Sequence, residues 1–256
     1  MAQFAKWCTA TKESVNGHEM TVLNAESKKI NGAVKVLSKL IPSQYASNER
    51  VSHLMKTLGK TAVAEFIEEK LPTTKSIRSG DLGEILGTSY LGEFTVFKQG
   101  VHRLRWKDHR NMSMRGEDIL AFGVDAVTGD VLVLKGEAKS RISLSGTTVT
   151  AARKALASNQ GRPSAHAISF LADRCFEQGQ THLADLLDTA QLKTRIKASQ
   201  VTHLMFTFSA NDPATHLRRD LQSYTGSIEQ ISVGLRVVEH QKFIKSVFDM
   251  VSSNGV

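Results

Sequence analysis

The chain has 256 residues, 33 Lys and Arg against 25 Asp and Glu, and a formal charge of +8. That length can bury a substantial core, and the basic balance, with a sequence pI near 9.5, favours an acidic partner, nucleic acid first. The two cysteines, Cys8 and Cys175, lie far apart with no zinc-type or Cys-x-x-Cys spacing, and no apolar run approaches the roughly 18 residues of a membrane span. The expectation is a soluble protein of a reducing cytoplasm.

Residues 25–41 and 49–71 carry helical periodicity, the second through Val51, Leu54, Leu58, Val63, Phe66 and Ile67. The polar segment LPTTKSIRSG then breaks the pattern, which predicts a helical N-terminal accessory region over 1–75 and a second domain over 76–256. A Gly-Lys-Thr inside LMKTLGKTAV is no phosphate loop, because position 54 is Leu where that loop needs Gly and the segment reads as helix. All four prolines fall in polar surroundings that read as connections.

From residue 79 the predicted order is a short helix over SGDLGEILGTSYLGEF, a strand or irregular hairpin over FTVFKQGVHRLRW, and then two apolar runs within GEDILAFGVDAVTGDVLVLKGEAKS. Helices follow over TTVTAARKALASN and SAHAISFLADRCFEQGQTHLADLLDTA, then strands over VTHLMFTFS and ISVGLRVVE, and a terminal helix. Such an order predicts a mixed α/β fold, a central sheet flanked by helices. Cys175 shares an apolar helix face with Ile168 and Leu171 and reads as a core thiol.

Candidate chemistry lies at the ends of the paired apolar runs. With Thr128 and Gly129 at the centre of a tight turn, Asp118 faces Lys139, and Asp118, Glu137 and Lys139 emerge on one sheet face. Asp118 and Glu137 are then diagonal neighbours about 7–8 Å apart at the backbone. Two carboxylates with a phosphate oxygen suit Mg²⁺, and a nearby ammonium can assist an attacking water or offset charge on a phosphodiester. The competing reading is a pair of solvated strand-end charges with Lys139 as their ion-pair partner. Glu117, Asp125 and Asp130 read as structural or solvent-facing.

Asp118, a strand ending in Glu137-Ala138-Lys139, and Glu84 on a preceding helix resemble the PD-(D/E)XK nuclease superfamily. More narrowly, SGDLGEILGTSYL, RGED at 115–118 and KGEAKS at 135–140 resemble the HamA nuclease subunits of the Hachiman anti-phage defence system. One departure is that Glu117, not Pro, precedes Asp118. The resemblance implies a restriction-endonuclease-like core and a metal-dependent deoxyribonuclease using one or two Mg²⁺ ions, or Mn²⁺. It further implies Asp118 and Glu137 as metal ligands, Lys139 as the catalytic lysine, Glu84 as an additional ligand or water-positioning group, and a HamB-like helicase partner that restrains the nuclease. Asp81-x-x-Glu84 also fits a helix capping box, which would make Glu84 structural.

The segment 98–115 concentrates Arg103, Arg105, Lys107, Arg110 and Arg115 around Trp106, a pattern suited to DNA phosphates with a stacking ring. Arg153 and Lys154 are further candidates for phosphate contact. Alternatively, Trp106 anchors the core and the charges are solvated. The alternative function is a catalytically silent nuclease-like fold that binds nucleic acid or holds a helicase.

Overall fold

The computed structural model describes residues 1–254 and places β1 (Cys8–Val15), β2 (His18–Ala25), α1 (Ile30–Tyr45), α2 (Asn48–Lys70) and α3 (Lys75–Phe94) before the candidate strands. Then come β3 (Ile119–Val124), β4 (Val131–Arg141), α4 (Gly146–Ala157), α5 (Ala165–Glu177), α6 (Thr181–Thr189), β5 (Val201–Ser209), α7 (Ala214–Ser223), β6 (Glu229–Arg236) and α8 (His240–Asn254). The six strands form one mixed sheet in the order β1-β2-β6-β5-β4-β3. Strands β4, β5 and β6 run parallel, and antiparallel hairpins close both edges. Among the described residues no helix is long and apolar enough to cross a membrane.

Helices cover both faces because the strands bury both. Every residue of β5 is buried, as expected of a parallel strand between two helical layers. Leu204, Phe206 and Phe208 pack with Leu37 of α1, Leu86 of α3 and Phe248 of α8. On the opposite face, Val133 and Val201 meet α5 and α6 through Ile168 and Leu187, while Met205 meets Leu156 of α4 and Leu217 of α7. Cys175 is fully buried in this second layer.

The expected helical region over 1–75 begins with a β-hairpin instead. Asn16 and Gly17, both at positive φ, make the two-residue turn between Val15 and His18, and β2 pairs with β6. Residues of this segment, Trp7 and Leu37 among them, share a core with the sheet; LPTTKSIRSG does end the helical pattern, α2 stopping at Lys70, but only residues 71–74 separate it from α3 at Lys75. Pro42 lies inside α1 rather than in a connection. The segment FTVFKQGVHRLRW contributes only an isolated bridge, Lys98 to Phe122, and a short 3-10 turn at Arg103–Trp106. The long predicted helix after residue 164 divides into α5 and α6 at Gly179, whose φ of 75° ends the first.

Candidate active site

The β3–β4 hairpin carries a longer turn than the sequence suggests. Asp125 Oδ1 accepts from Val127 N at 2.9 Å and Thr128 N at 2.8 Å, and Asp125 N donates to Asp130 O. Pairing therefore begins at Val124 with Val131 and ends at Ile119 with Gly136. Extended by one residue, this register sets Asp118 opposite Glu137 rather than Lys139. A two-residue slip preserves side-chain parity, so Asp118, Glu137 and Lys139 still fall on one side.

Strand β4 outruns its partner: residues 137–141 pair with β5 but have no β3 residue on their outer edge. Asp118 fills that gap, its Oδ2 accepting from Ala138 N at 3.0 Å. Lys139 Nζ is ion-paired with Glu137 Oε1, both side chains partly exposed. The open edge brings in Glu84 from the other layer, since α3 packs on the face of Ile119, Leu134 and Phe206. Asp81 and Glu84 sit well inside α3, not in its first turn, so the capping-box reading falls.

Burial first, and then the charge of Asp118, holds the Glu84 carboxyl well above the usual carboxylate range. Burial likewise raises Glu137, reinforced by Asp118, and raises Asp118 against the opposing pull of Ala138 N–H and Lys139. Two acids meeting at a half-buried edge, with a third in electrostatic reach, favour a proton or a cation among them.

The donor set suits a hard divalent ion. Mg²⁺ is commonly held by one or two carboxylates, with water and phosphate oxygens filling the remaining positions. Asp118 and Glu137 would supply that pair. Among the described residues no group of three or more His, Cys, Asp or Glu is placed to hold a metal, so Glu84 stands in electrostatic reach without completing a three-residue cage.

The stretch 98–115 is largely spent on the fold. Buried Arg103 donates to Glu117 O and, at 2.8 Å, to Arg115 O, fixing the chain that delivers Asp118. Arg105 donates to Ser43 O at 2.8 Å, and Arg110 to Glu68 O at 3.3 Å. Lys107 forms a buried ion pair with Asp81 at 2.8 Å, and Asp81 also accepts from Tyr45 Oη at 2.6 Å. Trp106 meets Phe170 edge-on at 6.1 Å, with Arg174 5.9 Å from its ring. Arg153 pairs with Asp220 across α4 and α7, whereas Arg115 and Lys154 are exposed. Arg103, Trp106 and Arg115 line one cavity, Arg105, Lys107 and Arg110 another that shares Asp108 with it, and Arg153 and Lys154 stand apart in sequence on α4. Glu117, buried, accepts from Ser164 N at 2.7 Å at the start of α5.

Two residues escaped the sequence reading. Arg141, exposed at the end of β4, shares the period-two face of Glu137 and Lys139, and the spacing in EAKSR was the available signal. Asp81, read only as a possible cap, joins α1, α3 and Lys107 one turn before Glu84.

Fold and site together define a mixed α/β protein with two carboxylates and a lysine gathered at a free strand edge. The HamA family model matches residues 1–251, and the chain belongs to the HamA family. It is similar to the Hachiman protein HamA of Bacillus cereus, with 26% identity over 257 residues, covering 98% of this chain and 91% of that protein.

Proposed function

We propose that this chain is a component of the Hachiman anti-phage defence system and acts there as a metal-dependent DNA nuclease of PD-(D/E)XK type, controlled by a helicase partner. The observation that carries the reading is the meeting of Asp118, Glu137 and Lys139 at the free edge of β4, with the Glu84 carboxyl in electrostatic reach. Family membership supports the defence role.

Asp118 and Glu137 would hold one or two Mg²⁺ or Mn²⁺ ions. A bound divalent ion supplies charge neutralisation at the phosphate and favours deprotonation of water. Asp118 is prepositioned by Ala138 N–H, so little ordering is left for the moment of reaction. Lys139, drawn off Glu137 by the phosphodiester, directs its Nζ to a non-bridging oxygen and offsets the charge that grows as water attacks phosphorus and the P–O bond breaks. Glu84, in its ionised form, accepts the proton that the attacking water loses, and the departing oxygen takes its proton from solvent. Arg141 adds a second cation for the flanking phosphate.

Incubating the chain, with and without its helicase, on plasmid DNA plus Mg²⁺ tests this. Wild type should nick or linearise the plasmid in at least one of those states, and Glu137→Ala and Lys139→Ala should not. Equal cleavage by all three would place the chemistry elsewhere. DNA binding without cleavage in every state would favour a silent nuclease-like module.

A further inference from the structure

Charge is unevenly spread along the chain. Of its 33 Lys and Arg and 25 Asp and Glu, residues 27–64 hold seven and one, a net +6, and the last turns of α2 add Lys70 against Glu65, Glu68 and Glu69. The remainder has 26 cations against 24 acids. The seven are Lys28, Lys29, Lys35 and Lys39 at and along α1, and Arg50, Lys56 and Lys60 on α2; all are exposed. Among the described residues only Lys29 of this set meets a carboxylate, Glu26 at 2.7 Å. Lys35 and Lys39 stand one turn apart, about 6 Å along the axis, away from the buried Val34, Leu37 and Ile41.

The fold asks little of α2. Of its 23 residues it buries Leu54, Val63 and Ile67, and it leaves Leu58 65% exposed. Gly59, at φ 83°, breaks the helix between Lys56 and Lys60, a conformation that suits glycine. The elbow joining α1 to α2 abuts the candidate site: Tyr45 is bonded to Asp81, one turn before Glu84, and Arg105 to Ser43 O. Unlike Lys107 in the 103–110 cluster, Lys28, Lys35, Lys39, Lys56 and Lys60 meet no carboxylate among the described residues.

We propose that the α1–α2 arm is the DNA-docking surface of this chain, gripping the duplex phosphate backbone through exposed lysines without reading sequence. The proposal rests on the part of the proposed function that makes DNA the ligand of this chain. Lysine is a mobile point charge suited to such contacts, and each neutralised phosphate releases counterion and adds about 0.9 to the slope of log affinity against log salt.

The test is fluorescence anisotropy of the full chain with a short labelled duplex in EDTA, across a KCl series. Replacing Lys35, Lys39, Lys56 and Lys60 together by Ala should weaken binding about tenfold or more and flatten the salt slope by about 2–4 units. The matching Lys→Arg set should bind like wild type. Lysine acetylation of the wild-type chain gives a readout independent of variant folding, with the duplex expected to protect those four positions. Unchanged affinity and slope, or unprotected lysines, would overturn the proposal. So would an alanine set that binds duplex normally but no longer binds the helicase, because the arm would then fit an acidic protein surface. Arm-dependent binding without cleavage in Mg²⁺ would remove the nuclease reading and leave the arm. Arm-independent binding with Glu137-dependent cleavage would do the reverse.

Discussion

Lys135 and Lys139 leave the same face of β4 four residues apart, and the fold holds them in opposite ways. Lys135, 2% exposed, donates to Ser158 O at 2.9 Å, Ser158 Oγ at 3.0 Å and Arg162 O at 3.1 Å. Burial lowers its pKa, and its partners are neutral oxygens. Lys139, nearer the solvent, lies against a carboxylate at the edge that β3 leaves open. One lysine fastens the 158–162 loop, where Asn159 and Gln160 sit at φ 54° and 57°, a left-handed conformation costing roughly 1–2 kcal/mol per residue. The other is available to a ligand. Strand period fixes the face a side chain takes, and the neighbouring strand and loop decide whether it is structural or reactive.

That contrast breaks most visibly in activity. Lys139→Ala should lower DNA cleavage by about 10²–10³-fold, while its loss from a partly exposed ion pair should change unfolding free energy by less than about 1 kcal/mol. Lys135→Met should behave the other way round, costing about 2–3 kcal/mol in urea denaturation through its charged hydrogen bonds and leaving cleavage per folded molecule unchanged. If the Lys135 variant were stable but inactive, the two lysines would not divide as described.

Acid sharpens the structural half. His203 Nε2 donates to Gly161 O at 2.7 Å in the same loop, and burial depresses its pKa to about 4. The unfolded chain, with an ordinary histidine pKa near 6.5, then binds the extra proton first between about pH 6.5 and 4. This contribution is fully present above that window and is lost as pH falls through it, at up to about 1.4 kcal/mol per pH unit. Melting curves of wild type and His203→Gln should therefore converge on acidification. Ser158→Ala, which removes one of the three oxygens around Lys135 Nζ, should cost only about 1 kcal/mol.

Much of the fold was legible because buried parallel strands and amphipathic helices write strong patterns. Strand β5 was read to the residue as VTHLMFTFS. Strand β1 was not, since most of its residues are exposed and TATKES shows no apolar alternation; the legible signal was the Asn16-Gly17 turn beside it. Helix α7 went unread because only Leu217 and Leu221 of its ten residues are buried. In the candidate site, parity of the β3–β4 hairpin was readable, but its register depended on the Asp125 side chain claiming two turn amides. The role of the 98–115 cations was not readable at all. Composition counts charges, and only the tertiary fold shows that Arg103 and Arg105 are consumed by backbone carbonyls and Lys107 by Asp81.

The proposed function requires the carboxylates at the free edge of β4 to hold a divalent cation. Mn²⁺ binding to the full chain, followed by electron paramagnetic resonance, tests it without requiring turnover. Wild type should take up Mn²⁺ in competition with Mg²⁺, and Asp118→Asn and Glu137→Gln should each lose that uptake while Lys135→Met retains it. Equal Mn²⁺ binding by wild type and both carboxylate variants would contradict the account.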